Sequence, residues 1–200
     1  EISLQKKIEL TSKNFMEFFG DASIIEDLIK KKNYNIKILE FGCGWGFWTK
    51  FMKSLNFDVE TVEISTSRAE YLKKNGIKNY RNLNEINKKY DLIFSNQAIE
   101  HVSYPLNILN LLKDKLVDGG IMYHKFPSAF LFKEQLTKNY IPHKDCAHPL
   151  EHINIFNKKS FKTLCKSLNL KRVNISDLNM KHKLKALKNE LIFNHVILVK

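Results

Sequence analysis

Residues 38–46 read ILEFGCGWG, a short apolar run that ends in three glycines at alternate positions. A short apolar run that stops at glycine is typical of a buried strand. The glycines after it permit positive φ angles and a close approach to a ligand. In open α/β sheets, the loop after the first strand borders the ligand crevice. These residues therefore predict a strand, a ligand-contacting loop and a helix that begins near Gly46.

On both sides of this loop, strand-like and helix-like segments alternate along the chain with short connections. The predicted strands span residues 36–41, 58–64, 79–81, 90–96, 121–126, 170–176 and 191–199. The predicted helices span residues 22–32, 46–55, 65–76, 105–117 and 158–168, and a turn is predicted at 118–120. This alternation predicts an α/β fold with a doubly wound, seven-stranded, mostly parallel sheet.

The chain is expected to consist of one main domain and an N-terminal appendage. Residues 1–33 are predicted to form a helical cap segment, and residues 34–200 the ligand-binding domain. Residues 127–156 form an irregular insertion within that domain, and insertions of this length usually have a function. We expect the cap and the insertion to cover the substrate together.

The composition is that of an ordinary soluble globular protein. Of 200 residues, 44% are apolar and 27% are charged, which excludes a disordered or collagen-like chain. No apolar run reaches the length of a membrane span. The three cysteines, Cys43, Cys146 and Cys165, are too few for a disulfide framework and indicate a reducing compartment. We therefore expect a cytoplasmic location.

The chain is strongly basic, with a formal net charge of +12, and such a charge can serve nucleic-acid binding. However, only three of the 33 basic residues are arginine, and arginine is the residue that selected phosphate-binding surfaces favour. The lysine surplus, including the segment 181–188, is more typical of a solvated surface. The charge alone therefore makes nucleic acid the weaker alternative for a partner.

The glycine loop does not have the pattern of the common phosphate-binding loops. A dinucleotide-binding loop would have a third glycine where this chain has Phe47, and no Gly-Lys-Ser/Thr follows. Instead an acid, Glu40, precedes the glycines, and a second acid, Glu63, ends the second predicted strand. The second carboxylate can accept hydrogen bonds from both ribose hydroxyls, and the first suits a cation rather than a pyrophosphate. The pair indicates a nucleoside with a cationic tail, for which S-adenosylmethionine is the candidate.

Four segments, in this order, resemble the class I S-adenosylmethionine-dependent methyltransferases over roughly residues 36–200. They are the glycine loop, YDLIFSNQAIEHV at 90–102, the segment from Leu112-Lys113 to Gly119-Gly120-Ile121, and PLEHINIF at 149–156 followed by Ser160-Phe161. The last is similar to a stretch in the branch that contains ubiquinone-biosynthesis O-methyltransferases and enzymes that modify sugars or small molecules. The resemblance implies a Rossmann-like methyltransferase domain at 34–200.

The resemblance also implies which residues contact the cofactor. Glu40 would hold the glycine loop or the methionine ammonium, and Glu63 would bind the ribose. The remaining cofactor-binding residues would be Gly42, Cys43, Gly44 and Gly46 in the loop, Ile64, Asn82 and Leu83 near the adenine, and Asn96 and Gln97 beside the methionine. Asn82 departs from the family, which usually has an acid there, although an amide can still bond the adenine edge.

Two histidines, His101 and His152, are the candidate catalytic residues. A hydroxyl acceptor is methylated more readily when a base takes its proton, and histidine is the usual base. His101 follows the fourth predicted strand, and His152 lies in the insertion. The alternative is that both only hold loops by hydrogen bonds. His124, inside the fifth predicted strand, is expected to pack in the core.

His143, Cys146, His148 and His152 are close together in the sequence, and such residues can bind Zn²⁺. Their spacing matches no familiar pair of chelating turns. The sequence therefore predicts no metal site, although it leaves this cluster as an alternative.

The sequence favours methyl transfer to oxygen or nitrogen of a small-molecule acceptor such as a sugar, a sugar nucleotide or a quinone. One alternative is a methyltransferase of tRNA or rRNA that uses the lysine surface. Another is a catalytically silent binding module with this fold. Fold alone does not choose among them, and the sequence leaves the oligomeric state open.

Overall fold

The structure is a computed structural model. It describes residues 4–29, 35–129, 132, 136–137, 139–141, 146–148, 151–173 and 193–200, with the backbone only for 4–14, 158 and 193–195. His143 and the basic segment 181–188 lie outside the described residues, as do the end of the strand predicted at 170–176 and the start of the one predicted at 191–199.

Five helices and seven strands are described. The helices are α1 (Leu4–Ile29), α2 (Phe47–Ser54), α3 (Thr66–Lys74), α4 (Pro105–Asp114) and α5 (Lys158–Ser167). The strands are β1 (Lys37–Phe41), β2 (Asp58–Val62), β3 (Asn79–Tyr80), β4 (Tyr90–Asn96), β5 (Leu116–Pro127), β6 (Lys171–Val173) and β7 (Phe193–Val199). Short 3₁₀ turns cover Leu83–Glu85 and Ile99–His101.

The strands form one seven-stranded sheet in the order β3-β2-β1-β4-β5-β7-β6. Strands β1 to β5 are parallel to one another, and β7 runs antiparallel to both β5 and β6. The chain moves outward from β1 to β3 and then reverses to β4. In such sheets the crevice outside the carboxyl ends of the strands at this switch point is the ligand site. The predicted fold class is confirmed.

The helices cover both faces of the sheet because side chains alternate along each strand. Leu39, Ile93 and Met122 lie in one row across β1, β4 and β5 and pack in the core cluster that contains residues of α4 and α5. Ile38 and Leu92 form the next row and pack in the cluster that contains residues of α1 and α2. Strand β4 is buried along almost its whole length, as expected for a central parallel strand.

Helix α1 is much longer than the helix predicted at 22–32. It begins at Leu4 and ends at Ile29 within the described residues, so it passes through Gly20. Glycine costs about 1 kcal/mol in a helix interior, and the sequence therefore favoured a start after it. Packing of Ile24 and Ile25 against the sheet offsets this cost. In the described part of the chain, no helix is both long and apolar enough to span a membrane.

The turn predicted at 118–120 is wrong, because these residues belong to β5. Gly119 has a φ of 70°, and the register between β4 and β5 shifts at this point, so the strand contains an irregularity rather than ending. The chain terminus holds it in place: the Gly119 amide donates to the Lys200 carbonyl at 3.2 Å, and the Lys200 amide donates to the Gly120 carbonyl at 3.0 Å.

Candidate active site

The glycine loop lies between β1 and α2, at the carboxyl end of β1. Gly42, Gly44 and Gly46 have φ angles of 73°, 57° and 69°, a region that side chains other than glycine's rarely adopt. The Gly42 amide donates to the Val62 carbonyl at 2.9 Å and the Gly46 amide to the Cys43 carbonyl at 2.9 Å. The first bond fixes the loop to the end of β2, and the second closes a turn within the loop.

The three glycines are needed for different reasons. A methyl group built on Gly42 would lie 2.5 Å from the Cβ of Ala98, and one on Gly46 would lie 2.5 Å from the Leu72 side chain. On Gly44 it would meet no described atom within 4 Å. Gly42 and Gly46 therefore permit packing, whereas Gly44 leaves open space into which a ligand can come close to the backbone.

Glu63 immediately follows β2 and is only 5% exposed. Its Oε2 accepts the Gly44 amide at 2.9 Å, and its Oε1 accepts the Ser65 amide at 2.8 Å. The Arg68 guanidinium lies 3.7 Å from Oε2. A carboxylate has about four acceptor sites, so Glu63 can hold the loop in place and still accept two ribose hydroxyls.

Glu40 is buried at the end of β1, where its carboxylate accepts a short hydrogen bond from the Thr49 hydroxyl. Burial raises the pKa of Glu40 to about 8, and the nearby carboxylates of Asp21 and Glu63 also raise the pKa. The side chain is therefore protonated at neutral pH in the protein alone. A cation placed beside it would favour its ionised form.

Glu40 should make the stability of the protein depend on pH. Because its pKa is raised on folding from 4.5 to about 8, its contribution is fully present below pH 4.5 and is lost as the pH rises through 8. Between pH 5 and 8, we expect the free energy of unfolding of the natural protein to fall relative to that of Glu40→Gln by on the order of 3 kcal/mol. Urea unfolding at both pH values measures this, and parallel pH profiles of the two proteins would contradict it.

The residues expected beside the adenine are only partly available to a ligand. The Ile64 side chain is 74% exposed and is free to cover a ring. Leu83 is 4% exposed and packs in the core. The Asn82 side chain caps its own 3₁₀ turn by accepting the Asn84 amide at 2.9 Å, which still leaves its amide group as a donor.

The residues expected beside the methionine lie at the end of β4 and just after it. The Asn96 Nδ2 donates weakly to Glu17 of α1 at 3.4 Å, while its buried Oδ1 has no hydrogen-bond partner among the described residues. A buried acceptor without a partner is costly and indicates a missing donor. Gln97 has a φ of 52° and an exposed side chain.

Helix α1 is fixed to this edge of the sheet by a buried ion-pair network that the sequence analysis missed. The Lys125 ammonium, on a side chain 1% exposed, lies 2.6 Å from Glu17 and 3.0 Å from Asp21 of α1. The Tyr123 hydroxyl also donates to Asp21 at 3.2 Å. Burial raises the pKa of Asp21 to about 6, while Lys125 opposes this shift. The network places α1 beside Asn96, at the carboxyl end of β4.

The two candidate catalytic histidines lie together. The rings of His101 and His152 are 4.9 Å apart in an edge-on arrangement. His101 Nδ1 lies 2.7 Å from the Glu151 carbonyl, and His152 Nδ1 lies 3.1 Å from the Cys146 carbonyl. Since a carbonyl only accepts, both Nδ1 atoms are donors, and in the neutral rings both Nε2 atoms retain a lone pair.

Glu100 lies beside these two histidines and was not among the residues predicted from the sequence. It is 1% exposed, and neither of its carboxylate oxygens has a hydrogen-bond partner in the part of the chain that the structure describes. Burial raises its pKa to about 7. Glu100, His101 and His152 each have one atom that could bind a metal, a carboxylate oxygen or a ring nitrogen, and these three atoms lie within 4.8 Å of one another.

The contacts of His124, His148 and Cys43 indicate structural roles for these residues. His124 is fully buried, with its Nδ1 2.6 Å from the Ser95 hydroxyl, and burial lowers its pKa to about 4. His148 Nδ1 lies 3.0 Å from a Glu151 oxygen. Burial raises the pKa of the Cys43 thiol well above its usual range. Cys43 is therefore a packed loop residue rather than a nucleophile.

These observations fit S-adenosylmethionine better than a dinucleotide. The open space at Gly44 lets a nucleoside approach the backbone closely. The carboxylate of Glu63 can accept ribose hydroxyls. The unpartnered Oδ1 of Asn96 can accept a hydrogen bond from an amine. The Glu63 carboxylate, which holds the loop through the Gly44 amide, would repel a pyrophosphate.

Comparison with known proteins identifies the class. Residues 17–175 match the family model described as a methyltransferase domain. The chain therefore belongs to this family and is a class I S-adenosylmethionine-dependent methyltransferase. A relative, malonyl-[acyl-carrier protein] O-methyltransferase 1 of Ilyobacter polytropus, is 36% identical over 115 residues. That match covers 52% of this chain and 42% of the relative, so the chain spans less than half of its length.

Solved structures show the same fold at low sequence identity. The plantazolicin methyltransferase BpumL in complex with SAH has a TM-score of 0.68 at 16% identity, covering 99% of this chain and 91% of that one. BamL, with a desmethylPZN analog and SAH, has a TM-score of 0.68 at 18% identity, covering 97% and 90%. A putative sarcosine dimethylglycine methyltransferase from Galdieria sulphuraria has 0.63 at 16%, covering 96% and 87%.

A pair of glycines offers a matched test of the loop. Gly44 and Gly76 both have positive φ angles, 57° and 68°, and neither added methyl would meet a described atom within 4 Å. Alanine at either position should therefore lower the free energy of unfolding by about 1 kcal/mol. Only Gly44→Ala should weaken S-adenosylmethionine binding, by at least about tenfold, because its methyl group fills the cofactor space. Equal affinities of the two variants in calorimetry would argue against this location.

Proposed function

We propose that this methyltransferase transfers the methyl group of S-adenosylmethionine to an oxygen nucleophile of a small-molecule acceptor. The observation that supports this most is the histidine pair. His101 and His152 lie just beyond the carboxyl end of β4, with Nδ1 donating to carbonyls and Nε2 available. The cofactor supplies a carbon activated by its sulfonium, so the chain has only to position and activate the acceptor.

An imidazole pair favours oxygen over nitrogen or sulfur as the acceptor atom. A neutral amine or a thiolate attacks through an available lone pair, whereas a hydroxyl must lose its proton during the transfer. Histidine nitrogens with a fixed tautomer suit that task. The relative named malonyl-[acyl-carrier protein] O-methyltransferase 1 supports the same atom type.

The carboxyl end of β4 is covered by the end of the insertion and by α1, which favours a small acceptor, or a small group at the end of a larger one. The Ile153 and Asn154 amides both donate to the Glu100 carbonyl at 2.9 Å, and the Asn154 side chain donates to the Val102 carbonyl at 2.7 Å. These bonds fix the end of the insertion over the turn after β4. Since Lys125 fixes α1 nearby, we propose that acceptors enter between these two segments.

The proposal is tested with radiolabelled S-adenosylmethionine and a panel of hydroxyl, carboxyl, amine and thiol acceptors, with bulk tRNA as a separate arm. We expect label transfer to hydroxyl or carboxyl compounds. Transfer only to amines or thiols, or transfer to tRNA with a steep salt dependence, would overturn the proposal.

His152→Ala should separate catalysis from cofactor binding. With an active acceptor, we expect kcat to fall by at least about 100-fold, while the affinity for S-adenosylhomocysteine stays within about twofold. His148→Ala is the matched control, because His148 lies in the same segment and its ring packs 5.6 Å from that of His152, but its Nδ1 pairs with the Glu151 side chain. Its kcat should stay close to that of the natural protein. Equal losses in both variants would indicate a structural role for the segment.

A further inference from the structure

We infer that Glu100, His101 and His152 bind one divalent transition-metal cation, with Zn²⁺ as the best match. One ligand atom from each of the three residues lies within 4.8 Å of the others. Two come from the 3₁₀ turn after β4, and the third comes from the insertion that docks on that turn. The expectation from sequence spacing was that the chain has no metal site.

The hydrogen bonds of both imidazoles are those expected of metal ligands. A histidine that binds a metal through one nitrogen usually donates its other ring N–H to a carbonyl or carboxylate, which fixes the tautomer. Both Nδ1 atoms are engaged in this way, by the Glu151 and Cys146 carbonyls. Each ring therefore offers Nε2, a neutral nitrogen with a free lone pair.

Glu100 supplies the second, independent indication. A carboxylate that is 1% exposed and accepts no hydrogen bond from any described residue is costly to bury. A cation between the carboxylate and the two imidazoles would compensate its charge. The distance of Glu100 from His152 in the sequence explains why residue spacing alone did not indicate this set.

The donor set favours a transition metal over Mg²⁺ or Ca²⁺. Two imidazoles and one carboxylate are the protein ligands of several catalytic zinc sites, which keep a further coordination position open. Mg²⁺ and Ca²⁺ prefer oxygen ligands throughout. Cys146 is not one of the three ligands; its carbonyl accepts a hydrogen bond from His152 Nδ1.

A cation at this place would have a role in the reaction, and this part of the inference rests on the proposed function. An acceptor oxygen bound at the open position would have a lowered pKa and would be held near the methyl group. The two histidines would then act on the acceptor through the cation rather than as bases. Binding of the cation itself depends on the three side chains alone.

Metal binding is tested directly with Co²⁺ and Zn²⁺ on the full chain. We expect one Co²⁺ per chain by equilibrium dialysis, with a visible absorption band that Zn²⁺ removes. Glu100→Gln and His152→Ala should bind at least about 100-fold more weakly, and His148→Ala should bind like the natural protein. Binding of S-adenosylhomocysteine by each variant confirms that it is folded.

A second readout does not depend on any variant. In the natural protein, Zn²⁺ should shift the imidazole NMR signals of His101 and His152 and leave those of the buried His124 in place. No stoichiometric Co²⁺ or Zn²⁺ binding, affinities unchanged in Glu100→Gln and His152→Ala, or shifts confined to other histidines would overturn the inference. Methyl transfer to an oxygen acceptor is measured separately by the radiolabel assay, so a failure of metal binding and a failure of the proposed function are distinguishable.

Discussion

Glu63→Ala is expected to weaken S-adenosylmethionine binding by at least about 100-fold. Two effects add in this variant. The ribose hydroxyls lose a charged acceptor, and such hydrogen bonds contribute about 1.5–3 kcal/mol each. The Gly44 and Ser65 amides also lose the carboxylate that holds them, so the loop is no longer positioned before the cofactor arrives.

Equilibrium dialysis with radiolabelled cofactor measures this effect, and Glu60→Ala is the matched control. Glu60 is an acid on the same strand, β2, but its carboxylate pairs with Lys88 and Tyr90 rather than with the loop. Glu60→Ala should bind the cofactor within about twofold of the natural affinity. If Glu63→Ala retained its affinity while folded, Glu63 would not be the ribose ligand.

Lys125→Met is expected to have the largest effect on stability, lowering the free energy of unfolding by about 3 kcal/mol at pH 8. Removing one partner of a buried ion pair leaves the other charge without compensation, which typically costs 3–5 kcal/mol. Asp21 is 2% exposed and would be that charge. Methionine retains most of the apolar volume, so little of the loss comes from a cavity.

The loss should be recovered in part by Lys125→Met combined with Asp21→Leu, because the double variant buries no unpaired charge. Lys162→Met changes an exposed lysine on α5 and should alter the unfolding free energy by less than about 0.5 kcal/mol. Urea unfolding of the four proteins gives the comparison. A double variant no more stable than Lys125→Met alone would show that the ion pair is not what anchors α1.

The sheet was predictable because its signals are local. Buried parallel strands such as β4 are continuous apolar runs, and glycines or polar residues mark their ends. The missed features depend on distant contacts. Gly20 is tolerated in α1 because the helix packs on the sheet, and Gly119 stays in β5 because Lys200 pairs with it.

The same distinction applies to the site. The placement of Glu63 beside Gly44 was predictable because a loop and the next strand end are fixed by the order of the chain. The pairing of Lys125 with Asp21 and the convergence of Glu100 on His152 join segments far apart in sequence. A single chain has no local signal for such contacts. Glu100 is next to a predicted candidate, His101, but only its burial in the structure indicates that its carboxylate could have a function.

Calorimetric titration of the purified chain with S-adenosylmethionine, S-adenosylhomocysteine and NAD measures whether the glycine loop and Glu63 select an adenosyl sulfonium cofactor over a dinucleotide. We expect micromolar binding of both adenosyl ligands at one site per chain and no binding of NAD, because Phe47 replaces the third glycine of a dinucleotide loop and the Glu63 carboxylate beside the loop is unsuited to a pyrophosphate. A folded protein that bound neither adenosyl ligand, or that bound NAD in their place, would contradict it.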